Sequence, residues 1–147
     1  MGKIIMINKI FLSSDHAGFE LKEKVKGFLI DNNLDYEDLG CSSSQPVDYP
    51  DFAKLLSKKI KYRKNSKGIL FCGTGIGISM AANRFPHVRA ALCTSVEMAS
   101  KSRKHNDANV LALGGRILEK ELALEIVKEF LQTDFEAGRH SLRVNKI

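Results

Sequence analysis

Gly68-Ile69-Leu70-Phe71-Cys72-Gly73-Thr74-Gly75-Ile76-Gly77-Ile78-Ser79 is the stretch from which the rest of the chain is read. Gly68 to Phe71 has the apolar run of a buried strand, Cys72 to Gly77 is a glycine-rich loop, and Ile78 to Asn83 reads as a helix that stops before Pro86. Strand, loop, helix is therefore the unit to look for on either side.

It recurs. Upstream, Ile10 to Ser13 reads as a strand, Ser14-Asp15-His16 as a polar turn, and Phe19, Leu21, Val25, Phe28 and Leu29 fall at helical spacing. Asp35 to Leu39 is a second strand, and a turn-rich loop from Gly40 leads to Val47-Asp48-Tyr49-Pro50, where proline suits a helix's first turn. Phe52, Leu55, Leu56 and Ile60 continue that helix. Downstream, Val88 to Cys93 and Asn109 to Leu113 read as strands, with helices at Val96 to Arg103 and Glu119 to Leu131. Five βα units predict a mostly parallel sheet covered by helices on both faces, with ligands at the carboxyl ends of the strands. The polar turns, including His105-Asn106-Asp107 before the last strand, are expected at that end.

At 147 residues, with 44% hydrophobic and 27% charged, the chain suits one globular domain with a single core. The apolar stretch Ile4 to Leu12 is broken by Asn8 and Lys9, so neither a membrane span nor a secretory signal is expected. Cys41, Cys72 and Cys93 form no C-x-x-C pair and leave an odd thiol, which argues against a disulfide framework or zinc knuckle and for a reducing cytoplasm. The formal charge of +6 fits nucleic acid and equally the steering of a phosphorylated substrate. The most basic stretch, Lys54 to Lys67, reads as the solvated side of a helix and its following loop.

The loop from Cys72 to Ser79 lets backbone N–H groups converge on an anion. It is not a nucleotide loop: Ile78 stands where G-x-G-x-x-G needs its third glycine, and no Gly-Lys-Ser/Thr follows. Cys72, just before the positive end of a helix, is a candidate base or nucleophile, or else a small residue closing a strand. Asp15 either serves the site or caps the next helix, and His105 and Asn106 either supply an imidazole and an amide or form a capping turn. Arg139, His140 and Arg143 in the polar tail from Phe135 to Ile147, with Arg116, offer donors for phosphate oxygens or form a solvated cationic surface. Cys41 and Cys93 read as structural.

Taken together, Ser14-Asp15-His16-Ala17-Gly18, Val47-Asp48-Tyr49-Pro50, Cys72 to Ser79, His105-Asn106-Asp107-Ala108-Asn109-Val110, and Gly138-Arg139-His140 with Arg143-Val144 resemble the ribose-5-phosphate isomerase B family. That family is related to the allose- and galactose-6-phosphate isomerases. The resemblance runs from about Lys9 to Val144 and implies a Rossmann-like three-layer α/β/α sandwich around a five-stranded sheet. It also implies a homodimer or dimer of dimers with shared active sites, and no metal or cofactor. By the same resemblance Cys72 moves a proton between C2 and C1 through a cis-enediolate, His105 assists ring opening, and Thr74 and Asp15 position ring oxygens. His16, Arg116, Arg139 and Arg143 hold the phosphate, while Tyr49, Gly73, Gly75, Gly77, Ser79, Asn106 and His140 complete the substrate set. Backbone N–H groups from Gly73 to Ser79, with Asn106, are expected to receive the enediolate oxygen.

Two departures from the family pattern stand out: an N-terminal extension, residues 1–8, and Ser13-Ser14 where glycine or cysteine is common before Asp15. Some relatives replace the cysteine base by a downstream glutamate; here Cys72 is kept and Ala81 and Ala82 occupy the helix beyond. Galactose-6-phosphate isomerases divide the motifs between two subunits, whereas all occur in this chain, so a self-sufficient homo-oligomer is expected. Rival readings are isomerisation of a six-carbon sugar phosphate and, more remotely, a phosphate- or nucleic-acid-binding module.

Overall fold

A computed structural model describes Ile7 and residues 9–147; of the N-terminal extension only Ile7 falls within the described residues. Five strands, β1 (Lys9–Ser14), β2 (Tyr36–Asp38), β3 (Ser66–Cys72), β4 (Ala90–Leu92) and β5 (Val110–Gly114), lie in the order β2-β1-β3-β5-β4. Every pairing is parallel. The helices are α1 (Phe19–Asp31), α2 (Tyr49–Lys61), α3 (Ile76–Ala82), α4 (Val96–Lys104), α5 (Lys120–Gln132) and α6 (Arg139–Val144).

Strand parity divides the core in two. Ile69 and Phe71 of β3, with Ile10, Leu12, Leu111 and Leu113, face the layer of α1, α4 and α5. Leu70 and Cys72, with Phe11, Val110 and Ala112, face α2 and α3. Successive side chains of a strand point to opposite faces, so the position of Cys72 two residues beyond Leu70 puts its thiol on the α2/α3 side.

The exchange of β4 and β5 relative to chain order follows from burial. All five residues of β5 are buried, whereas Ala90, Ala91 and Leu92 are each only partly covered. An inner parallel strand must be apolar on both faces, and the short β4 takes the edge. Its paired part is accordingly shorter than the predicted Val88 to Cys93.

Chain direction reverses between β1 and β3. From β1 the chain moves outward to β2, and from β3 toward β5 and β4, so the loops that follow β1 and β3 diverge onto opposite faces. Such a switch point opens a crevice at the carboxyl ends of the strands. Beside it, Lys22 of α1 is fully buried, its Nζ 2.8 and 2.7 Å from the two Asp38 oxygens and 3.2 Å from Glu23. This pins β2 to α1. Ser13 and Ser14, both buried, are also accommodated: Ser13 Oγ donates to the Phe52 carbonyl at 2.9 Å, and Ser14 Oγ lies 3.7 Å from Cys41 Sγ.

Candidate active site

The crevice gathers three loops. Asp15 N–H donates to the Phe71 carbonyl, and Gly115 N–H to the Cys72 carbonyl, which ties the ends of β1, β3 and β5 together. A Cβ on Gly18 would stand 2.4 Å from the Phe71 backbone, so only glycine permits this approach. Asp15 itself is buried, and its Oδ1 accepts from the N–H groups of Ala17 (2.9 Å) and Gly18 (3.0 Å). It thus shapes the turn before α1.

His16 accepts from Val47 N–H at Nδ1 (3.2 Å), which leaves the ring proton on Nε2. With Arg116, Lys120, Glu20 and Ser44, His16 lines a cleft of about 330 Å³. Arg116 reaches back to the Cys72 loop, where its Nη1 lies 3.7 Å from the position a Cβ on Gly73 would occupy. Lys120 and Ser44 are additions that sequence reasoning passed over. Lys120 opens α5 just after the Gly114-Gly115 turn, and that adjacency was the available signal.

Cys72 is buried, and its sulfur accepts a hydrogen bond from Gly75 N–H at 3.1 Å. Gly75 has φ +81°, and a Cβ there would fall 2.6 Å from Leu92 Cδ1. Backbone geometry that only glycine adopts thereby supplies the thiol with a fixed donor. Tyr49 covers the first turn of α3; a Cβ on Gly77 would stand 2.7 Å from its ring.

The loop's donors are fewer than Gly73 to Ser79 suggested. Gly75 N–H is given to sulfur, Ile76 N–H to Thr74 Oγ1 (3.1 Å), and Ser79 N–H to the Gly75 carbonyl (3.2 Å). Ser79 Oγ donates to the Ile76 carbonyl at 2.7 Å. The first-turn N–H groups of Gly77 and Ile78 have no partner among the described residues, as expected at a helix start, and face the loop.

The expectation that His105-Asn106-Asp107 joins this end of the sheet is corrected. A helix between two parallel strands runs back against them, so α4 ends, with His105 as its cap, at the amino end of β5. There Arg89 Nε donates to the Asp107 carbonyl, and Asn109 Oδ1 accepts from Arg89 N–H beside the start of β4. The tail joins the same end: Glu136 N–H donates to the Lys104 carbonyl, and the His105 and His140 rings stack at 4.2 Å with planes 13° apart. The polar tail contains a short helix, α6, on which His140 is buried while Arg139 and Arg143 are exposed. Burial, then the positive charges of His105 and Arg139, hold His140 below the usual imidazole range.

One chain therefore carries two half-sets at opposite ends of its sheet. Asp15, His16, Tyr49, the Cys72 loop and Arg116 are together; His105, Asn106, Arg139, His140 and Arg143 are elsewhere. Cys41 and Cys93 are free and buried, and burial pushes the Cys93 thiol up to about 11, which fits a structural part. Lys54, Lys58, Lys59 and Lys61 lie on the exposed side of α2, as expected.

The family described as Ribose/Galactose Isomerase matches residues 10–147. The chain is 47% identical to a probable ribose-5-phosphate isomerase B of Mycoplasma pneumoniae, covering 97% of this chain and 94% of that one. It is 42% identical to the ribose-5-phosphate isomerase B of Escherichia coli, covering 96% and 95%. Among solved structures, that of the Thermotoga maritima ribose 5-phosphate isomerase is similar with a TM-score of 0.92, 51% identity and coverage of 94% and 95%. The Mycoplasma genitalium ribose-5-phosphate isomerase B with bound ribulose 5-phosphate has a TM-score of 0.91, 40% identity and coverage of 95% and 94%.

Proposed function

Since the chain belongs to the ribose/galactose isomerase family, and is an isomerase, we propose that it interconverts ribose 5-phosphate and ribulose 5-phosphate with Cys72 as the base. The observation that carries this reading is the Cys72 sulfur, held by Gly75 N–H at the mouth of the crevice beside the His16 and Arg116 cleft.

In the forward direction the thiolate takes the proton from C2 of the open aldose, the electrons of that C–H bond form the C1=C2 double bond, and the π electrons of the C1 carbonyl move to its oxygen. The resulting cis-enediolate is stabilised by the unpartnered N–H groups of Gly77 and Ile78, each contributing about 3 kcal/mol if aimed at the oxyanion. A proton passes from O2 to O1, and the thiol returns its proton to C1 to give the ketose. A base placed in this way accelerates the step by about a hundred- to ten-thousand-fold. Thr74 and Asp15 orient the sugar oxygens, and Tyr49 closes the side of the crevice over α3. His16 Nε2–H and Arg116 grip the phosphate, which does not react and serves to position the carbon chain.

The remaining residues come from a second copy. His105, for ring opening, with Asn106, Arg139, His140 and Arg143, lies too far along the strands to serve the crevice of its own chain. A homodimer in which each copy places its amino-end set against the other's carboxyl-end loops completes two sites. The outward face of α3, with Ile76 and Met80 exposed beside the Cys72 loop, provides apolar surface for such a contact. The whole chain then acts as one isomerase unit of the cytoplasm, needing neither metal nor cofactor.

The test is conversion of ribose 5-phosphate by purified protein in the presence of a chelator, with Cys72→Ala alongside and allose 6-phosphate as a second substrate. Pentose conversion by the wild type alone is expected. Preference for the hexose would move the assignment to the six-carbon reaction, and full turnover by Cys72→Ala would remove the base.

A further inference from the structure

A second polar cleft, of about 500 Å³, opens at the amino end of the sheet between the end of α2 and the starts of β3 and β5. Within one chain the strand β3, Ser66 to Cys72, separates it from the Cys72 loop by six steps, about 20 Å. Its walls include Arg63, Lys67, His87, Arg89 and Asp107, and so hold the far end of the basic stretch that the isomerase reading leaves without a task.

Charge in this cleft is unevenly matched. One carboxylate, Asp107, serves two guanidinium groups, with Arg89 Nη2 at 3.3 Å from Oδ2 and Arg103 Nη1 at 2.9 Å from Oδ1. The Lys67 side chain, partly buried, makes no hydrogen bond or ion pair among the described residues. Burial first, then the charges of Arg103 and Arg89, opposed by Asp107 and Asp134, push its amine from 10.5 down to about 8. Basic residues at a helix end commonly answer the helix dipole, but Lys58, Lys59 and Lys61 already do so in the last turn of α2. Arg63 and Lys67 are cations beyond that need.

We propose that this cleft binds a small phosphomonoester as its dianion, with Arg63, Lys67 and the free edge of Arg89 closing on the phosphate oxygens. Planar guanidinium groups and a compact ammonium are the donors suited to such an anion. The volume falls within the range of small-molecule pockets, which favours a metabolite-sized ligand over a nucleic-acid strand.

Pyridoxal 5′-phosphate is the probe. Its aldehyde condenses with an unprotonated amine, releasing water, and borohydride then supplies the hydride that reduces the imine to a stable secondary amine. Burial lowers the Lys67 amine to about 8, so at mildly alkaline pH a larger share of it is unprotonated than of an exposed lysine, which favours its labelling. That alone would mark only a desolvated amine, so pyridoxal without phosphate is run in parallel. In peptide maps of the whole chain, the preference for Lys67 over exposed lysines is expected to be at least about tenfold greater with the phosphorylated probe than with pyridoxal, a ratio that cancels the slower reaction of pyridoxal as its internal hemiacetal. Inorganic phosphate should protect Lys67, and Arg63→Gln should erase the difference between probes. An equal preference for Lys67 with both probes, without phosphate protection, would overturn the site. Protection by a DNA duplex at lower phosphate concentration than inorganic phosphate would overturn it in favour of a nucleic-acid surface.

Discussion

Two inactive variants, Cys72→Ala and His105→Ala, should recover about a quarter of wild-type turnover when their subunits are exchanged. Cys72 closes β3 at the level of Gly114, whereas His105 precedes β5 at the level of Val110. Four strand steps between those levels amount to about 13 Å, while a proton-transferring group must stand within about 3 Å of the atom it serves. In the proposed dimer each site therefore takes its thiol from one copy and its imidazole from the other. After random exchange half of the dimers are mixed, and in each mixed dimer one site receives both intact residues and the other neither, so about one site in four works. The assay is isomerase activity after exchange in mild denaturant, with a mass tag on one variant to verify the mixed fraction by native mass spectrometry. Verified mixed dimers with activity no higher than the separate variants would refute the shared site.

Four further outcomes follow from the same geometry. Gly75→Ala should destabilise by about 2–5 kcal/mol, from a left-handed backbone penalty of roughly 1–2 and overpacking of roughly 1–3 against Leu92 and Leu113; Gly27→Ala, with nothing within 4 Å, should stabilise α1 by about 0.5–1 kcal/mol in the same urea titration. Asp38→Asn should cost about 3 kcal/mol, near the lower end for breaking a buried pair because Glu23 stays 3.2 Å from Lys22. Burial raises the Asp38 carboxyl, but the hydrogen bonds from Lys22, Gly40 N–H and Lys26 together hold it below its ordinary value of 3.8. Its contribution is accordingly full above about pH 4 and is lost as pH falls through the lower folded value, so the variant should show a shallower acid loss of stability in pH-dependent melting. His16→Ala should raise KM for ribose 5-phosphate about tenfold or more with kcat largely kept, since the phosphate it is proposed to hold does not react; a fall confined to kcat would reassign it.

Apart from α6, which lies in the stretch read as a polar tail, the helices and strands were legible from local pattern: Leu21, Val25 and Leu29 mark one buried face of α1, and Ile69 to Cys72 has the apolar run of an inner strand. The loop after β3 was legible for the same local reason, since three glycines at a strand-to-helix turn are a backbone requirement written in side chains. What escaped local reading was non-local. That β5 and not β4 neighbours β3 depends on which of two short apolar runs is covered on both faces, which is a property of the packed sheet. That Gly75 spends its N–H on the Cys72 sulfur depends on the left-handed turn of the folded loop. The end of the sheet to which His105 belongs was within reach of topology, because a parallel crossover must return its helix to the amino end. By itself the sequence determined the residue types and their local frames; the tertiary structure alone decided which of them meet, because strand direction carries the Cys72 loop and His105 to opposite ends of one sheet, a separation that the proposed second copy would close.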